Sequence, residues 1–159
     1  MNKKEHETRK RIVVDLDVIT LAFWDKKDEA NLIERIKTNK FEMITPYILL
    51  EHLSKWNHKK LASEITGFYK KYSTQVITAK NLLRKIEKIK VEYAVLLNRL
   101  VNIGVKEEDV VLVIISSIFD VDYLITFNRR HLKNKQKEIN EVLKSNGIKT
   151  IQIKLPSEI

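Results

Sequence analysis

Asp15, Glu51, Asp109 and Asn128 stand on four separate segments that a small α/β fold can bring together. Asp15 closes the apolar run Ile12-Val13-Val14, and Asn128 closes Tyr123-Leu124-Ile125-Thr126-Phe127. Glu51 and Asp109 fall on segments with helical patterning. Carboxylates held at close range repel one another and stay ionised only with a cation between them, so the set points to a divalent-metal site. Carboxylate and water ligands suit Mg²⁺, with Mn²⁺ as a substitute.

The rest of the chain has the opposite character. Thirty Lys and Arg against 21 Asp and Glu give a formal net charge of +9, which favours polyanions such as RNA or DNA. An acidic site on a basic body is the contrast a nuclease needs: basic surface holds the phosphate backbone while acids hold the metal. Within this scheme Arg129 and Arg130, just past Asn128, are candidate clamps on the RNA backbone.

Length and composition limit what can carry such a site. The 159 residues suit one domain over residues 11–159, preceded by a basic, flexible tail over residues 1–10. An apolar fraction of 43% and a charged fraction of 32% are those of a soluble globular chain. No apolar run is long enough for a membrane span, and Met1 to Glu7 lacks the apolar stretch of a secretory signal. Cytoplasmic residence is therefore expected. With no cysteine, disulfides and thiolate metal sites are ruled out. Gly67, Gly104 and Gly147 stand alone, which excludes a glycine-rich phosphate loop.

The elements follow from periodicity and punctuation. Strands are predicted at Arg11 to Val14, Phe41 to Ile44, Gln75 to Thr78, Tyr123 to Phe127 and Ile148 to Ile153. Residues 18–24 begin a helix or loop, and Asp28 to Thr38 is a helix with Ala30, Leu32, Ile33 and Ile36 as its apolar stripe. Thr45-Pro46 reads as a helix start, Thr as N-cap and Pro at the first helical position. That helix carries Ile48, Leu49, Leu53 and Trp56, bends through 57–60, and resumes from Leu61 to Tyr72. Ala79 to Asn102 is one long helix or two, stopped near Gly104. Val110 to Ile115 is β-branched enough for a strand, yet Glu107-Glu108-Asp109 before it complements a helix dipole, so a buried helix from Lys106 to Phe119 is expected. A charged helix spans 134–145. Alternating strands and helices imply a three-layer α/β/α sandwich around a mainly parallel sheet. In such a sheet functional groups collect at the carboxyl ends of the strands, where Asp15 and Asn128 sit.

These segments resemble the PIN-domain ribonuclease family, which includes the toxins of VapBC-type toxin–antitoxin systems. The resemblance runs over about residues 11 to 153. Val13-Val14-Asp15-Leu16-Asp17-Val18 is similar to the opening motif, and Thr45-Pro46-Tyr47-Ile48-Leu49-Leu50-Glu51 to the second, where Glu is a metal ligand. Asp109 falls where the third acid opens a buried helix. Asp122-Tyr123-Leu124-Ile125-Thr126-Phe127-Asn128 resembles the closing strand. Two positions depart from the pattern. Asp17 stands where Asn, Ser or Thr is usual and adds a possible ligand, and Asn128 replaces the fourth Asp of many members, with His131 three residues on.

The resemblance implies a metal-dependent endoribonuclease, with a toxin role favoured over RNA processing. Asp15 and Asp109, with Glu51 directly or through water, would hold one Mg²⁺ or Mn²⁺. Asn128, and Thr126 beside it, would orient water or phosphate; Asp17 and Glu108 are secondary candidates. It also implies a homodimer and a cognate antitoxin that covers the acidic pocket. The rival from another class is a PIN-like RNA-binding or assembly module with weakened catalysis, a reading that Asn128 favours. The Asp15-Leu16-Asp17 pair also resembles the opening of haloacid-dehalogenase-like phosphatases, but no acidic pair follows the last strand. His52, His58 and His131 lack metal-ligand spacing and read as surface or packing residues. Trp24, Trp56, Phe68, Tyr69 and Tyr72 read as core or dimer interface rather than base-stacking platforms.

Overall fold

The computed structural model describes residues 8–23 and 27–159, so the expectations for residues 1–7 and for Trp24 lie outside the described residues. Five parallel strands form one sheet in the order β3-β2-β1-β4-β5: β1 (Lys10–Val14), β2 (Phe41–Pro46), β3 (Ser73–Ile77), β4 (Tyr123–Ile125) and β5 (Gln152–Lys154). The helices are α1 (Leu16–Ala22), α2 (Lys27–Lys37), α3 (Tyr47–Ser54), α4 (Lys59–Tyr72), α5 (Ala79–Ile89), α6 (Tyr93–Asn102), α7 (Glu107–Ile118) and α8 (Gln136–Ser145). By the handedness rule for parallel connections, the crossovers from β1 to β2 to β3 put α1 to α4 on one face of the sheet. The return to β4, and the step on to β5, go the other way and put α7 and α8 on the opposite face, with α6 packed on both. The expected α/β/α sandwich is the architecture observed.

Several boundaries differ from expectation, each for a physical reason. Thr45 and Pro46 belong to β2, not to a helix start. Thr45 pairs with Val76 and Pro46 with Ile77, and the Thr45 hydroxyl bonds to Ser73. The ladder takes the strand as far as Pro46, which becomes the N-cap of α3 without a side-chain cap bond. β4 ends at Ile125, and β5 starts at Gln152 rather than Ile148, because residues pair only where the neighbouring strand is in reach. Ala79 to Asn102 forms two helices. The break lies at Lys90, whose φ of 58° closes α5, while Gly104 at φ 105° follows α6 as the expected stop.

The β-branched stretch from Val110 is helical. Val110 and Leu112 to Ile118 are buried as α7 runs beneath the centre of the sheet. Ile12, Val13 and Val14 of β1, with Leu124 and Ile125 of β4, are also fully buried. Burial on nearly all sides is why these segments lack amphipathic alternation.

The outer edge of β5 is closed by side chains. Ile151 donates its N–H to Asn140 Oδ1 (2.8 Å) and accepts from Asn140 Nδ2 (2.9 Å). Ile153 donates to Gln136 Oε1 (2.7 Å) and accepts from Lys133 Nζ (2.8 Å). The carboxamide of Asn140 thus takes the place of a neighbouring strand. Asn140→Ala is expected to lower unfolding free energy by about 1–3 kcal/mol, the cost of leaving buried polar backbone unpaired. Urea titration of the two proteins checks this, and an unchanged midpoint would contradict it.

Candidate active site

The chain leaves β1 in one direction toward β2 and returns to β4 on the other side, so the carboxyl ends of β1 and β4 flank the switch point of the sheet. Open α/β sheets offer a crevice at such a point. Here it is a cleft of about 400 Å³ lined by Asp15, Asp17, Asp109, Glu108 and Asn128, with Leu16, Thr20, Leu21, Ile48, Leu49, His52, Trp56 and Leu112.

Asp15 is the first residue past β1 and the N-cap of α1. Its N–H continues the ladder by donating to Ile125 O (2.8 Å). One carboxylate oxygen accepts from Leu16 N (2.8 Å) and the other from the Thr126 hydroxyl (2.8 Å). The fully buried Tyr69 hydroxyl donates to Val14 O (2.8 Å) and so anchors the strand end that carries Asp15. Asp17, in the first turn of α1, accepts from Phe127 N (3.3 Å) through one oxygen. Its other oxygen, Oδ1, is buried and has no hydrogen-bond partner among the described residues.

Asp109 lies in the first turn of α7 and accepts from Asn128 Nδ2 (3.1 Å). Asn128 is held on every side. Its N–H donates to Thr126 Oγ1 (3.0 Å), and its Oδ1 accepts from His131 N (3.0 Å). His131 in turn bonds to Gly104 O (3.1 Å), linking this turn to the loop that precedes α7.

Burial, followed by the nearby negative charges, raises the acids. Asp17 is pushed up to about 7, first by burial and then by Asp15. Asp109 is likewise pushed up to about 7, by burial, Asp15 and Glu108. Asp15 is raised by burial, against the opposing pull of its Thr126 and Leu16 bonds and of His52. Three carboxyls resist joint ionisation, which is the electrostatic condition for taking up a cation.

Asp15, Asp17, Asp109, Asn128, Thr126 and Glu108 are therefore gathered by the fold, Thr126 through its bond to Asp15. Glu51 is not: it is exposed on α3 and does not line the cleft. Its charge acts on Tyr47, one turn earlier, whose phenol is raised by burial and then by Glu51. Arg129 and Arg130 are exposed in the turn after Asn128. Among the described residues no group of three or more His, Asp or Glu side chains is placed to hold one ion. The donor chemistry still suits a hard cation, because three carboxyls share the cleft and one buried oxygen lacks a donor. His52, expected as a surface or packing residue, and Trp56, expected in the core or a dimer interface, also line this space. Their signal was the four-residue recurrence of Ile48, His52 and Trp56.

No protein-family model and no curated protein matches this sequence. Among solved structures, a chain in the crystal structure of VapBC2 from Rickettsia felis bound to a DNA fragment from their promoter shares the fold. The TM-score is 0.53 at 11% identity, covering 91% of this chain and 98% of that one. The likeness supports the PIN-like fold expected from the sequence. Among the described residues no helix is long and apolar enough to cross a membrane.

The raised acids set a pH dependence. Asp17 and Asp109 hold protons more tightly in the folded chain than in the unfolded one, so the folded state binds more protons between the ordinary carboxyl range and about 7. Their contribution to stability is full below that window and lost as pH rises through about 7. In metal-free buffer the melting temperature is expected to fall from pH 5 to pH 8. Asp109→Asn should flatten that fall and melt higher than the parent at pH 8; a parent that melts higher at pH 8 than at pH 5 contradicts the assignment.

Proposed function

We propose that this chain is a metal-dependent endoribonuclease that cleaves RNA phosphodiesters, acting as the toxin of a toxin–antitoxin pair. The observation that carries the reading is three carboxyls sharing one cleft at the switch point of a PIN-like sheet, two of them pushed up to about 7. Asp15, Asp17 and Asp109 are the side chains that would hold a divalent cation of the Mg²⁺ or Mn²⁺ type; Glu51, exposed outside the cleft, is not among them. Such an ion supplies charge neutralisation at phosphate and an activated water for in-line attack.

The chain's own groups set the geometry around that chemistry. The Thr126 hydroxyl fixes the rotamer of Asp15, and the Asn128 amide fixes that of Asp109. Asn128 positions Asp109 through one hydrogen of its Nδ2, and the second hydrogen is the donor it offers to water or phosphate. The unpartnered Oδ1 of Asp17 is the acceptor left for a ligand. Arg129 and Arg130, exposed beside Asn128, hold the phosphate backbone outside the cleft.

The toxin assignment draws on the fold shared with a chain of the VapBC2 structure. It implies RNA as substrate, an antitoxin chain that covers the cleft, a second copy of this chain as dimer partner, and residence in the cytoplasm. A small antitoxin-like reading frame beside the gene would support it.

Purified protein should cut single-stranded RNA only with Mg²⁺ or Mn²⁺, and EDTA should stop it. Asp15→Asn and Asp109→Asn are each expected to lower the rate by about 100-fold or more, the scale on which lost stabilisation of developing charge is felt. Glu51→Gln should leave the rate unchanged, as expected of an exposed side chain that does not line the cleft. RNA cleavage that survives in both aspartate variants would mark a contaminant. RNA binding with no cleavage under either metal would assign the chain to the RNA-binding modules instead.

A further inference from the structure

One wall of the cleft is of the wrong chemistry for an ion or a phosphate. Ile48, His52 and Trp56 line it from α3 and the residues just beyond, and Leu112 and Leu21 complete it. A hydrated cation and its carboxylates need polar surroundings, which Ile48, Leu21, Leu112 and the half-buried indole do not offer; His52, whose charge is felt at Asp15, is the polar edge between the two. A flat ring with a polar edge fits: its face lies on the indole and its edge meets the imidazole. One margin carries the charge that an anionic chain would need: Arg129-Arg130 follow Asn128 there, whereas the hollow beyond Ile48 sets Lys106 beside Glu107 and Glu108.

We propose that Trp56 and His52 form a subsite for one unpaired RNA base next to the phosphate held at the acids. It rests on the nuclease reading and adds a substrate requirement: the base must be free of a duplex to enter. Trp56 supplies the stacking face and His52 a polar contact, so the pair selects single strands and sets where along the strand the cut falls. The indole keeps its place because Trp56 N donates to Leu53 O, which closes the last turn of α3, and because its ring packs on the core.

The test separates this subsite from the cleavage chemistry. Asp109→Asn protein in Mg²⁺ is titrated with a short fluorescent single-stranded RNA and with the same sugar-phosphate strand lacking bases. The base-bearing strand should bind about 5- to 150-fold tighter, the range of one base on one aromatic ring. Adding Trp56→Phe should keep that ratio, and adding Trp56→Leu should bring it toward one. Equal affinity of Asp109→Asn for the two strands, or a ratio untouched by Trp56→Leu, overturns the proposal and leaves the apolar wall to a side chain of a protein partner. Should Trp56→Leu fail to fold, Trp24→Phe leaves Trp56 as the single tryptophan. Its emission should then quench on adding RNA in EDTA, and unchanged emission overturns the subsite. Loss of cleavage in every metal with base-dependent binding intact would remove the nuclease reading and leave the subsite standing.

Discussion

The carboxylate of Asp15 is bonded to a helix amide on one side and to the Thr126 hydroxyl on the other, across the junction of β1 and β4. The rest of the site depends on that junction. It is the place where the chain departs from the centre of the sheet both ways, leaving a gap that no crossover helix fills. Keeping like charges in that gap costs free energy, as the upward displacement of Asp15, Asp17 and Asp109 records. The cost is offset by the parts of the molecule with most to bury: β1 from Ile12, Leu124 and Ile125 of β4, and α7 from Val110 are mostly apolar and lie in the core. The most hydrophobic elements carry the most acidic residues at their ends.

The acids are also held by neutral groups that do not themselves ionise. Thr126 and Asn128 lie two residues apart on one loop and fix Asp15 and Asp109 respectively, and Asn128 N–H closes the loop on the Thr126 hydroxyl. Through His131 and Gly104 the same loop is tied to the turn from which α7 starts. An amide at position 128 is therefore a structural asset in this chain. A fourth carboxylate there would add repulsion to Asp109 and lose the donor that orients it.

Much of this was legible in the sequence because the signals were local. A buried strand that ends in Asp, and a first helical turn of Glu-Glu-Asp before a β-branched run, identify Asp15 and Asp109 without knowledge of their neighbours. Asn128 could be placed because it ends the last long apolar run before the C-terminal helix. Failures came where a tertiary partner or a helical phase decided. Thr45-Pro46 has the chemistry of a helix start, but pairing with β3 claimed it for the sheet. Glu51 has the right type and the right helix, yet successive residues lie about 100° apart around a helix axis. The phase that points Ile48 and His52 into the cleft leaves Glu51 on its outer side. That phase is fixed by which face of α3 buries Leu49 and Leu53, a matter of packing that no spacing rule contains.

Among the described residues, side chains cap the sheet at one border only. At β5 the outward-facing amides and carbonyls of Ile151 and Ile153 are already satisfied by Asn140, Gln136 and Lys133, so an extended peptide arriving there finds no free register to join. Among the described residues the opposite border, along β3, carries no such caps and is the one open to a strand from another molecule. Growth of this sheet is thereby made directional, and a partner that docks by backbone pairing has one route of approach.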